Sequence, residues 1–463
     1  MPPDILVLMT DQHRADWVGA PGATHVRTPV IDSLAAQGMA LSRCYTPSPL
    51  CMPARASFIT GMYPHSHGMW ENAGRIPDPR DSFLHGLREA GYRTCHVGKS
   101  HLYPHGRGRD LREEEPFMRA LGWDDILECT GPLSTQTTTS LLTDWMKEQG
   151  IYELFLEDYR RRAEVGMNRA LWPSPLPDGK HPDVFIAQLA ADFIQRSDTG
   201  RPLYLFVGFG GPHSPWDPPQ RFDRYDPGSM PAPLPRDPVP EWLGGAALEH
   251  HQEMMSLNPD ITADQWLRVR SLYSARVEHV DSLMGRVLEA WTARRGTGTW
   301  IIFWSDHGEM AGDKGRCSKS VFYEGSVRVP AIIRPPGGAC PPVFSGLTSL
   351  LDLTATILDA AGCGRDLPNV FGRSLTSDPQ GWEGRRAVFS EVGERTMAFD
   401  GRFKLVCDSH GRTLKLFDLQ EDAAESLNLA GHPAHVRTEE RLRGEMLAFL
   451  LGTAHRQWRE ING

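Results

Sequence analysis

The chain has 463 residues, of which 40% are hydrophobic and 23% charged, and 49 basic against 58 acidic residues give it a formal net charge of −9. This charge argues against a nucleic-acid or anionic-membrane partner, because such partners bind basic surfaces. The length favours one large domain with a smaller one, and the composition is unlike that of disordered or coiled-coil proteins. A small anion stays compatible with the charge, since local cations can oppose the global sign.

The cysteines and the N-terminal sequence bear on the cellular compartment. The chain contains 8 cysteines without any Cys-x-x-Cys pair, so their spacing predicts separate reduced thiols. The first apolar run, at 5–9, is too short for a secretory signal and has no basic leader. No apolar stretch reaches the roughly 18 residues that a membrane span needs. We therefore expect a soluble, cytoplasmic protein without a membrane partner.

Apolar runs alternate with helical patterns along most of the chain, which predicts strand–helix–strand units around a mostly parallel sheet. Thr28 is expected to cap the first helix, and Thr262 with Gln265 forms a capping box before the longest one. The predicted elements are a strand at 5–9, helices at 29–36 and 82–90, a strand at 94–97, a helix at 183–196, a strand at 203–207, a helix at 263–294 and a strand at 300–304.

Four polar side chains directly follow predicted strands of this sheet. They are Asp11, Lys99, His213 and Asp306. Ligands and reactive groups in open parallel sheets gather beyond the carboxyl ends of the strands. We therefore expect these four side chains to be neighbours.

The sequence divides into a main domain at 1–375 and a C-terminal subdomain at 376–463. Short strands and a final helix near 437–451 predict a small antiparallel sheet in the subdomain. Within the main domain, 103–181 has several aromatic residues and no motif, and its position predicts an insertion at the mouth of a substrate site. Most of its rings are expected to pack in the core or at oligomer contacts. His250 and His251 are predicted to lie on a solvated helix face.

The segment at 49–61 carries the strongest chemical signal. Pro53 suits the first turn of a helix that Gly61 ends, so Cys51 would lie at the helix N-terminus, where free N–H groups favour an anion. Arg55, one turn further, adds a fork of donors for a tetrahedral oxyanion. The alternative is a buried free cysteine beside a surface arginine.

Cys51-x-Pro53-x-Arg55, followed by Ala-Ser and by Thr60-Gly61, resembles the signature of the sulfatase family, whose cysteine is oxidised after translation to formylglycine. Further segments resemble that family's motifs in the same order: Asp11-Gln12, Gly98-Lys99-Ser100-His101, Pro212-His213, Ser305-Asp306-His307-Gly308, Ser318-Lys319 and Lys415-Leu416-Phe417-Asp418. The resemblance implies an α/β fold of the alkaline phosphatase superfamily, with a large mixed, mostly parallel sheet between helices and a small C-terminal α+β subdomain.

Carried onto this chain, the resemblance also implies a metal site. Asp11, Gln12, Asp306 and His307 would hold one divalent cation together with the hydrated formylglycine at Cys51. Many sulfatases have Asp-Asp and Asp-Asn pairs at these places, and Asp-Gln with Asp-His resembles choline sulfatases and phosphonate monoester hydrolases. An imidazole ligand shifts the preference from Ca²⁺ towards Mn²⁺, so either ion is retained as the cofactor, and ligation by Gln12 is left open.

The same resemblance assigns roles to the remaining site residues. Arg55, Lys99 and Lys319 would neutralise the three sulfuryl oxygens as charge builds. His213 would act as general acid on the leaving alcohol. His101 would orient the second geminal hydroxyl or remove its proton, which expels sulfate and restores the aldehyde.

We therefore expect arylsulfatase-like hydrolysis of a small anionic sulfate monoester, with a formylglycine-generating maturation enzyme as a partner and homo-oligomerisation left open. One alternative is a phosphonate monoester or phosphodiester hydrolase that uses the same site. Another is a catalytically silent ligand-binding relative whose Cys51 is never converted. Nearby, His65 and His67 either line the pocket or satisfy backbone groups. Trp70 and Asn72 are candidate substrate contacts, and core packing explains the tryptophan equally well.

Overall fold

The computed structural model describes residues 2–19, 23–256, 261–338, 343–363, 369–376 and 385–454. Its strands are β1 (Ile5–Asp11), β2 (Met39–Leu41), β3 (Cys44–Tyr45), β4 (Arg93–Gly98), β5 (Asp125–Glu128), β6 (Leu203–Pro212), β7 (Trp300–Ser305), β8 (Ala331–Arg334), β9 (Val343–Phe344), β10 (Thr348–Ser349), β11 (Val388–Val392), β12 (Arg395–Phe399), β13 (Phe403–Asp408) and β14 (Thr413–Asp418). Its α-helices are α1 (Pro29–Gln37), α2 (Cys51–Thr60), α3 (Pro64–His67), α4 (Leu84–Glu89), α5 (Glu115–Ala120), α6 (Leu141–Glu148), α7 (Tyr152–Val165), α8 (Pro182–Arg196), α9 (Gly245–Ser256), α10 (Ala263–Arg295), α11 (Glu324–Val327), α12 (Leu350–Ala360) and α13 (Val436–Thr453).

The centre of the molecule is an eight-stranded sheet in the order β5-β4-β6-β1-β7-β8-β2-β9. From β5 to β7 all neighbours are parallel, β8 runs antiparallel to both β7 and β2, and β9 is parallel to β2. Strands β11 to β14 form a separate antiparallel sheet. This mixed, mostly parallel sheet with a small antiparallel sheet confirms the predicted fold class.

Both faces of the large sheet are buried, as the continuous apolar run of β1 predicts. Ile5, Val7 and Met9 face the core shared with α2, α4 and α12. Leu6 and Leu8 face the opposite core, beneath α1, α8 and α10. Because side chains alternate along a strand, five consecutive apolar residues serve two cores. The sheet is thus fixed from both sides, and only the ends of its strands are left for a site.

Helix α1 begins as predicted, but its cap is different. The Thr28 hydroxyl donates to Asp32 and makes no bond to the helix N-terminus. Instead, the buried Asp281 carboxylate of α10 accepts from Val30 N at 3.1 Å and Ile31 N at 2.9 Å. Thr28 is the N-cap residue as predicted, but its side chain makes no cap bond, because a carboxylate about 250 positions away in the chain satisfies these N–H groups.

Asp281 makes the stability of the fold depend on pH. Burial raises the pKa of its carboxyl from 3.8 to about 7, so between these values the folded chain holds a proton that the unfolded chain has lost. The free energy of unfolding therefore falls as pH rises through this range. We expect Asp281→Asn to reduce the stability difference between pH 5 and pH 8 by about 2 kcal/mol, as measured by denaturant unfolding. Parallel pH dependences of variant and wild type would contradict this assignment.

The C-terminal sheet is held between α13 and the main body. One face packs on α13 through Leu405 and Leu416, and the other packs on Tyr45 and Phe322. The fully buried Lys404 donates to Phe322 O, to Glu324 at 2.6 Å and to Glu425 at 2.7 Å. Lys404 thereby ties the small sheet to the segment that follows Lys319. The domain division at 375 stays a prediction, since 377–384 lie outside the described residues.

Several predictions on single residues can be compared with the structure. Trp123 and Tyr159, from the aromatic segment at 103–181, are buried in the core as expected, while a substrate mouth there stays a prediction. The prediction that His250 and His251 are solvated is wrong. Helix α9 packs on β14, and the side chains of both histidines are mostly buried.

Two further observations concern the cysteines and the helices. The seven described cysteines are all free thiols, and Cys340 lies outside the described residues. Within the described ranges, no helix has both the length and the apolar character needed to cross a membrane.

Candidate active site

The four side chains predicted to be neighbours do meet at the carboxyl edge of the large sheet. Asp11 ends β1, and Lys99, His213 and Asp306 follow β4, β6 and β7. One potential metal-ligand atom from each of Asp11, Cys51, Asp306 and His307 lies within 4.8 Å of the other three, and all four residues are buried. The sheet thus places two carboxylates, an imidazole and a thiol around one point.

Cys51 is the first residue of α2, as the sequence predicts. Leu50 is the N-cap residue, and Gly61 ends the helix in the left-handed conformation with φ of 71°. The Asn72 side-chain oxygen accepts from Met52 N at 2.9 Å, so a residue outside the helix satisfies one of its first N–H groups. Cys51 Sγ is buried and lies 3.1 Å from His307 Nε2.

The residues around Cys51 fit a divalent cation. No described residue donates a hydrogen bond to the buried Asp11 Oδ1. His307 Nδ1 donates to Gly308 O at 3.0 Å, which leaves the Nε2 lone pair facing Asp306 Oδ1 at 3.7 Å and Asp11 Oδ1 at 4.0 Å. Fixing one ring nitrogen on a carbonyl is how proteins orient a metal-binding histidine. The set of two carboxylates and one imidazole suits a borderline cation such as Mn²⁺ as well as Ca²⁺.

Arg55 lies beneath this cluster and holds its two carboxylates together. Its guanidinium donates to Asp306 Oδ2 at 2.8 Å, to Asp11 Oδ2 at 3.0 Å, and to the carbonyl oxygens of Lys99 and Ser100 at 2.8 and 3.2 Å. Four of its five N–H donors are therefore engaged by the protein. The structure gives Arg55 the task of orienting the carboxylates, and its predicted direct contact with a sulfuryl oxygen stays a prediction.

Lys99 approaches the cluster from the end of β4. Its ammonium group forms a very short ion pair with Asp11 Oδ2. A Cβ atom on Gly131 would lie only 2.8 Å from Lys99 Nζ, so this glycine leaves the space that the ammonium group occupies. Although burial alone would raise the pKa of Asp11, the charges of Lys99 and Arg55 help to bring it well below its ordinary value.

Lys319 and His213 contact each other in the site. Lys319 Nζ donates to Gln12 Oε1 at 2.5 Å and to His213 Nε2 at 2.8 Å, while His213 Nδ1 donates to Ser214 O at 2.6 Å. Burial opposes the charge on Lys319, but the neighbouring Cys51, Asp11 and Asp306 raise its pKa overall. Because Gln12 Oε1 pairs with Lys319, ligation of a metal by Gln12 stays a prediction.

His101 completes the surroundings of Cys51. It has a positive φ of 50°, an uncommon conformation for a residue other than glycine, and its ring interacts with the Cys51 thiol. Burial, followed by the charge of Lys99, lowers the pKa of His101 to about 4. Burial would raise the pKa of Cys51. The charges of Lys319 and His307, together with the neighbouring His101 and His213, instead bring this pKa well below its ordinary value.

Two supporting residues were missed by the sequence analysis. Glu309 Oε1 accepts from Ala311 N at 2.9 Å and from Ser318 N at 2.5 Å, and its second oxygen forms a very short hydrogen bond with the Gln12 amide. Glu309 therefore holds both Gln12 and Ser318, the residue before Lys319, and so positions the Lys319–Gln12 contact. Asn72, considered only as a substrate contact, caps the Cys51 helix. Neither role has a sequence signal, because both depend on loops meeting in space.

A second buried cluster, of His181, Asp183 and His279, supports the His213 loop. Arg276 donates to Asp183 Oδ2 at 2.7 Å and lies 3.2 Å from His181 Nε2 and 3.1 Å from His279 Nδ1. Asp183 Oδ1 in turn accepts from the N–H groups of residues 210 and 211. A guanidinium already lies among these ligand-type side chains, so we interpret the cluster as a support for His213 rather than as a metal site.

The histidines at 65 and 67 have structural partners. His65 Nδ1 pairs with Glu391 at 2.8 Å, and His67 Nε2 lies 2.9 Å from Ser57 Oγ. His67 Nδ1 also accepts from Met69 N at 3.1 Å. The ring of His67 therefore satisfies a backbone group, as one alternative had it, whereas the ring partners of His65 are the side chains of Glu391 and Thr453.

A buried cysteine at a helix N-terminus, among two carboxylates, an imidazole and two lysines, is an arrangement typical of hydrolases of tetrahedral anionic esters, and here it lies on an alkaline phosphatase-like fold. The family model for sulfatases matches residues 3–363. The chain therefore belongs to the sulfatase family and is a sulfuric ester hydrolase.

Individual relatives agree with this assignment. An arylsulfatase of Clostridium perfringens (strain 13 / Type A) is 29% identical, covering 98% of this chain and 95% of its own. A choline-sulfatase of Rhizobium meliloti (strain 1021) is 28% identical, covering 93% and 83%. Among solved structures, the phosphonate monoester hydrolase of Agrobacterium radiobacter has a TM-score of 0.78 at 24% identity, covering 97% of this chain and 96% of its own. That structure supports the fold.

Proposed function

We propose that this chain hydrolyses small sulfate monoesters in the manner of an arylsulfatase, with a formylglycine made from Cys51 by a maturation enzyme as its nucleophile. The observation that carries the proposal is the position of Cys51 Sγ, which is buried at a helix N-terminus among Asp11, Asp306 and His307. A structural cysteine would not need two carboxylates and an imidazole within 4.8 Å.

Asp11, Asp306 and His307, with the converted Cys51, would hold the divalent cation. When bound, the cation would lower the pKa of the hydrated formylglycine hydroxyl and offset negative charge in the site. Arg55 keeps the two carboxylates in register with each other, and the Gly308 carbonyl keeps His307 Nε2 directed at them. The protein thus assembles the ligands before a substrate arrives.

The remaining cations act on the substrate. Lys99, which pairs with Asp11, and Lys319, which pairs with Gln12 and His213, would neutralise the sulfuryl oxygens as negative charge builds. His213 Nε2 accepts from Lys319, so a proton of the ammonium group lies between these two side chains. His213 Nε2 would take this proton from Lys319 and pass it to the leaving alcohol, and solvent would reprotonate Lys319 after the alcohol has left. The neutral His101 would then remove the proton of the second hydroxyl, which expels sulfate and restores the aldehyde.

One substrate panel tests the proposal: an aryl sulfate, choline sulfate, a sugar sulfate and an aryl phosphonate monoester. We expect the highest kcat/KM on a sulfate ester. The same cationic side chains and metal ligands would also bind a phosphonate, and the Asp306-His307 pair resembles that of phosphonate monoester hydrolases. The phosphonate monoester is therefore the alternative substrate that the panel must include. A higher kcat/KM on the phosphonate would overturn the proposal in favour of the phosphonate alternative. No turnover of any ester by protein with a confirmed formylglycine would favour the silent ligand-binding relative.

Metal removal has a predicted outcome of its own. Stripping the protein with a chelator is expected to lower kcat/KM by about 100-fold or more and to lower the Tm. Because His307 supplies a nitrogen ligand, Mn²⁺ should restore both quantities at lower concentration than Ca²⁺. His307→Asn replaces this nitrogen with an oxygen, and we expect the preference for Mn²⁺ over Ca²⁺ to fall about tenfold in a Tm titration. An unchanged preference would contradict the assignment of His307 as a ligand.

A further inference from the structure

A cavity of about 370 Å³ is lined by residues of both the main body and the C-terminal subdomain, and the mechanism so far does not use it. Its lining includes Arg14 and residues from the chain at 43–45, the segment at 310–328 and the chain at 399–425. Neither active-site lysine and none of the proposed metal ligands lines it. Its volume lies within the range typical of sites for small organic ligands, so the cavity is large enough to be a second binding site.

The carboxylates that line this cavity are already paired with cations. Each lies 2.6 to 2.7 Å from a lysine or an arginine. They are Asp16, Asp313, Glu324 and Glu425. A cationic ligand would therefore meet no free carboxylate among the described lining residues.

Two arginines of the same cavity have donors that are not used. Arg43 Nη2 donates to Gly401 O at 2.8 Å, and no described carboxylate pairs with its guanidinium. Arg328 Nε lies 3.0 Å from Glu324 Oε2, while its two Nη groups have no hydrogen-bond partner within the described chain. Tyr45 forms a β-bridge with Arg328 and lies two positions after Arg43, so the backbone brings both arginines to this cavity. The unmet groups are N–H donors, which an anion would satisfy.

An aromatic surface adjoins Arg43 in the cavity. The guanidinium of Arg43 lies 5.7 Å from the centre of the Phe399 ring, and the ring centroids of Phe399 and Tyr45 are 5.2 Å apart. Other apolar side chains in the lining are those of Leu234, Met310 and Leu419. The cavity therefore offers cationic donors and an apolar surface to the same ligand.

We propose that this cavity binds a singly charged organic anion, a carboxylate on an aromatic body, as an effector of the enzyme. Arg43 and Arg328 would donate to the carboxylate, since the fork of a guanidinium matches its two oxygens. The aromatic body would pack on Phe399 and Tyr45. Among the described lining residues, Arg43 is the cation without a carboxylate partner, so a ligand with one negative charge balances the cavity.

The cavity is connected to the active site through Glu309. Two lining residues contact its backbone: Gly325 O accepts from Glu309 N at 2.8 Å, and Arg14 Nη1 donates to Glu309 O at 3.0 Å. The Glu309 side chain in turn positions the Lys319–Gln12 contact. A ligand that fixes this segment should favour the active arrangement, because a ligand shifts a protein towards the state that it binds best. The expected effect on turnover rests on the proposed function, whereas binding itself does not.

The test titrates cinnamate, a carboxylate on an aromatic body, into the full-length protein and follows binding by calorimetry. We expect the wild type to bind cinnamate with a Kd below about 1 mM. Arg43→Gln loses the charge and the fork of donors, so it should bind cinnamate at least about tenfold more weakly. Cinnamyl alcohol, the neutral analogue, should also bind to the wild type at least about tenfold more weakly than cinnamate.

Arg402→Gln is the matched control for Arg43→Gln. Arg402 also lies over a phenylalanine ring, 4.7 Å from the centre of Phe403, but its guanidinium pairs with Asp418 and does not line the cavity. The affinity of this control for cinnamate should stay within about twofold of the wild type.

Kinetics on the best sulfate ester of the panel test the effector role. Cinnamate should raise kcat/KM about fivefold in the wild type and in Arg402→Gln, and it should leave kcat/KM unchanged in Arg43→Gln. Without cinnamate, all three proteins should have the same kcat/KM, because neither arginine contacts the active site.

Three outcomes would overturn the proposal. The first is that the wild type binds cinnamate no better than Arg43→Gln does. The second is competitive inhibition by cinnamate that Arg43→Gln retains, which would place the probe in the active site. The third is binding that depends on Arg43 but leaves kcat/KM unchanged, which would remove the effector role.

If Arg43→Gln fails to fold, Arg43→Lys decides. It keeps the charge but not the fork, so the affinity for cinnamate should fall about fivefold, and an unchanged affinity would contradict the proposal. Failure of the proposed function is distinguishable, since binding that depends on Arg43 would then persist in a protein that turns over no sulfate ester.

Discussion

Replacing Cys51 with alanine is expected to abolish sulfate ester hydrolysis, with a fall in kcat/KM of about 10⁴-fold or more. The substitution removes the only atom from which the nucleophile can be made and leaves the cations and carboxylates in place. Alanine is also the most favourable residue in a helix, so α2 should keep its structure. Steady-state kinetics and a circular dichroism spectrum check the two halves of this prediction.

Cys95→Ala is the matched control for that variant. Cys95 is also a fully buried thiol, but it lies in β4 and packs in the core beneath α8. We expect a loss of about 1–2 kcal/mol in the free energy of unfolding and a kcat/KM close to that of the wild type. If Cys51→Ala retained activity within tenfold of this control, a plain metal-hydroxide mechanism would replace the formylglycine mechanism.

Arg55→Lys is expected to have the second largest effect. A lysine ammonium keeps the charge but cannot reach both Asp11 and Asp306 and also the two backbone carbonyls that the guanidinium contacts. The carboxylates would lose their mutual orientation, so we expect kcat/KM to fall about 100- to 1000-fold and metal affinity about 10- to 100-fold. Kinetics at saturating Mn²⁺ and a Tm titration with the metal measure these two effects.

Arg93→Lys is the control for the arginine. Arg93 also makes a two-bond contact with a carboxylate, that of Asp125, but it is partly exposed at the start of β4, at the other end of the strand from the site. Its replacement should cost less than about 1 kcal/mol of stability and leave kcat/KM unchanged. Equal losses of activity in the two variants would show that Arg55 is an ordinary structural ion pair.

The part of this site that lies at strand ends was predictable from the sequence. Asp11, Lys99, His213 and Asp306 each follow an apolar run, and parallel strands must bring their carboxyl ends to one edge. The helix that begins at Cys51 was likewise marked by Pro53 and Gly61, which act locally. These predictions depend on residues close in sequence and on one general rule of sheet geometry.

The supporting contacts were not predictable, because each joins residues far apart in the chain. Asp281 takes the capping role expected of Thr28, and Asn72 caps the Cys51 helix from a separate loop. Glu309 holds both Gln12 and the residue before Lys319, although its motif gives no sign of this. The same reason explains the error at His250, since the sheet that covers it follows more than 100 positions later. The cytoplasmic location and the oligomeric state stay predictions.

The account depends most directly on the chemical state of residue 51. The measurement that tests it is mass spectrometry of the peptide containing Cys51, after co-expression with a formylglycine-generating enzyme and alongside kinetics of the same sample. We predict an aldehyde in place of the thiol, with kcat proportional to the converted fraction across preparations. A peptide that keeps its thiol in a fully active sample would contradict the account.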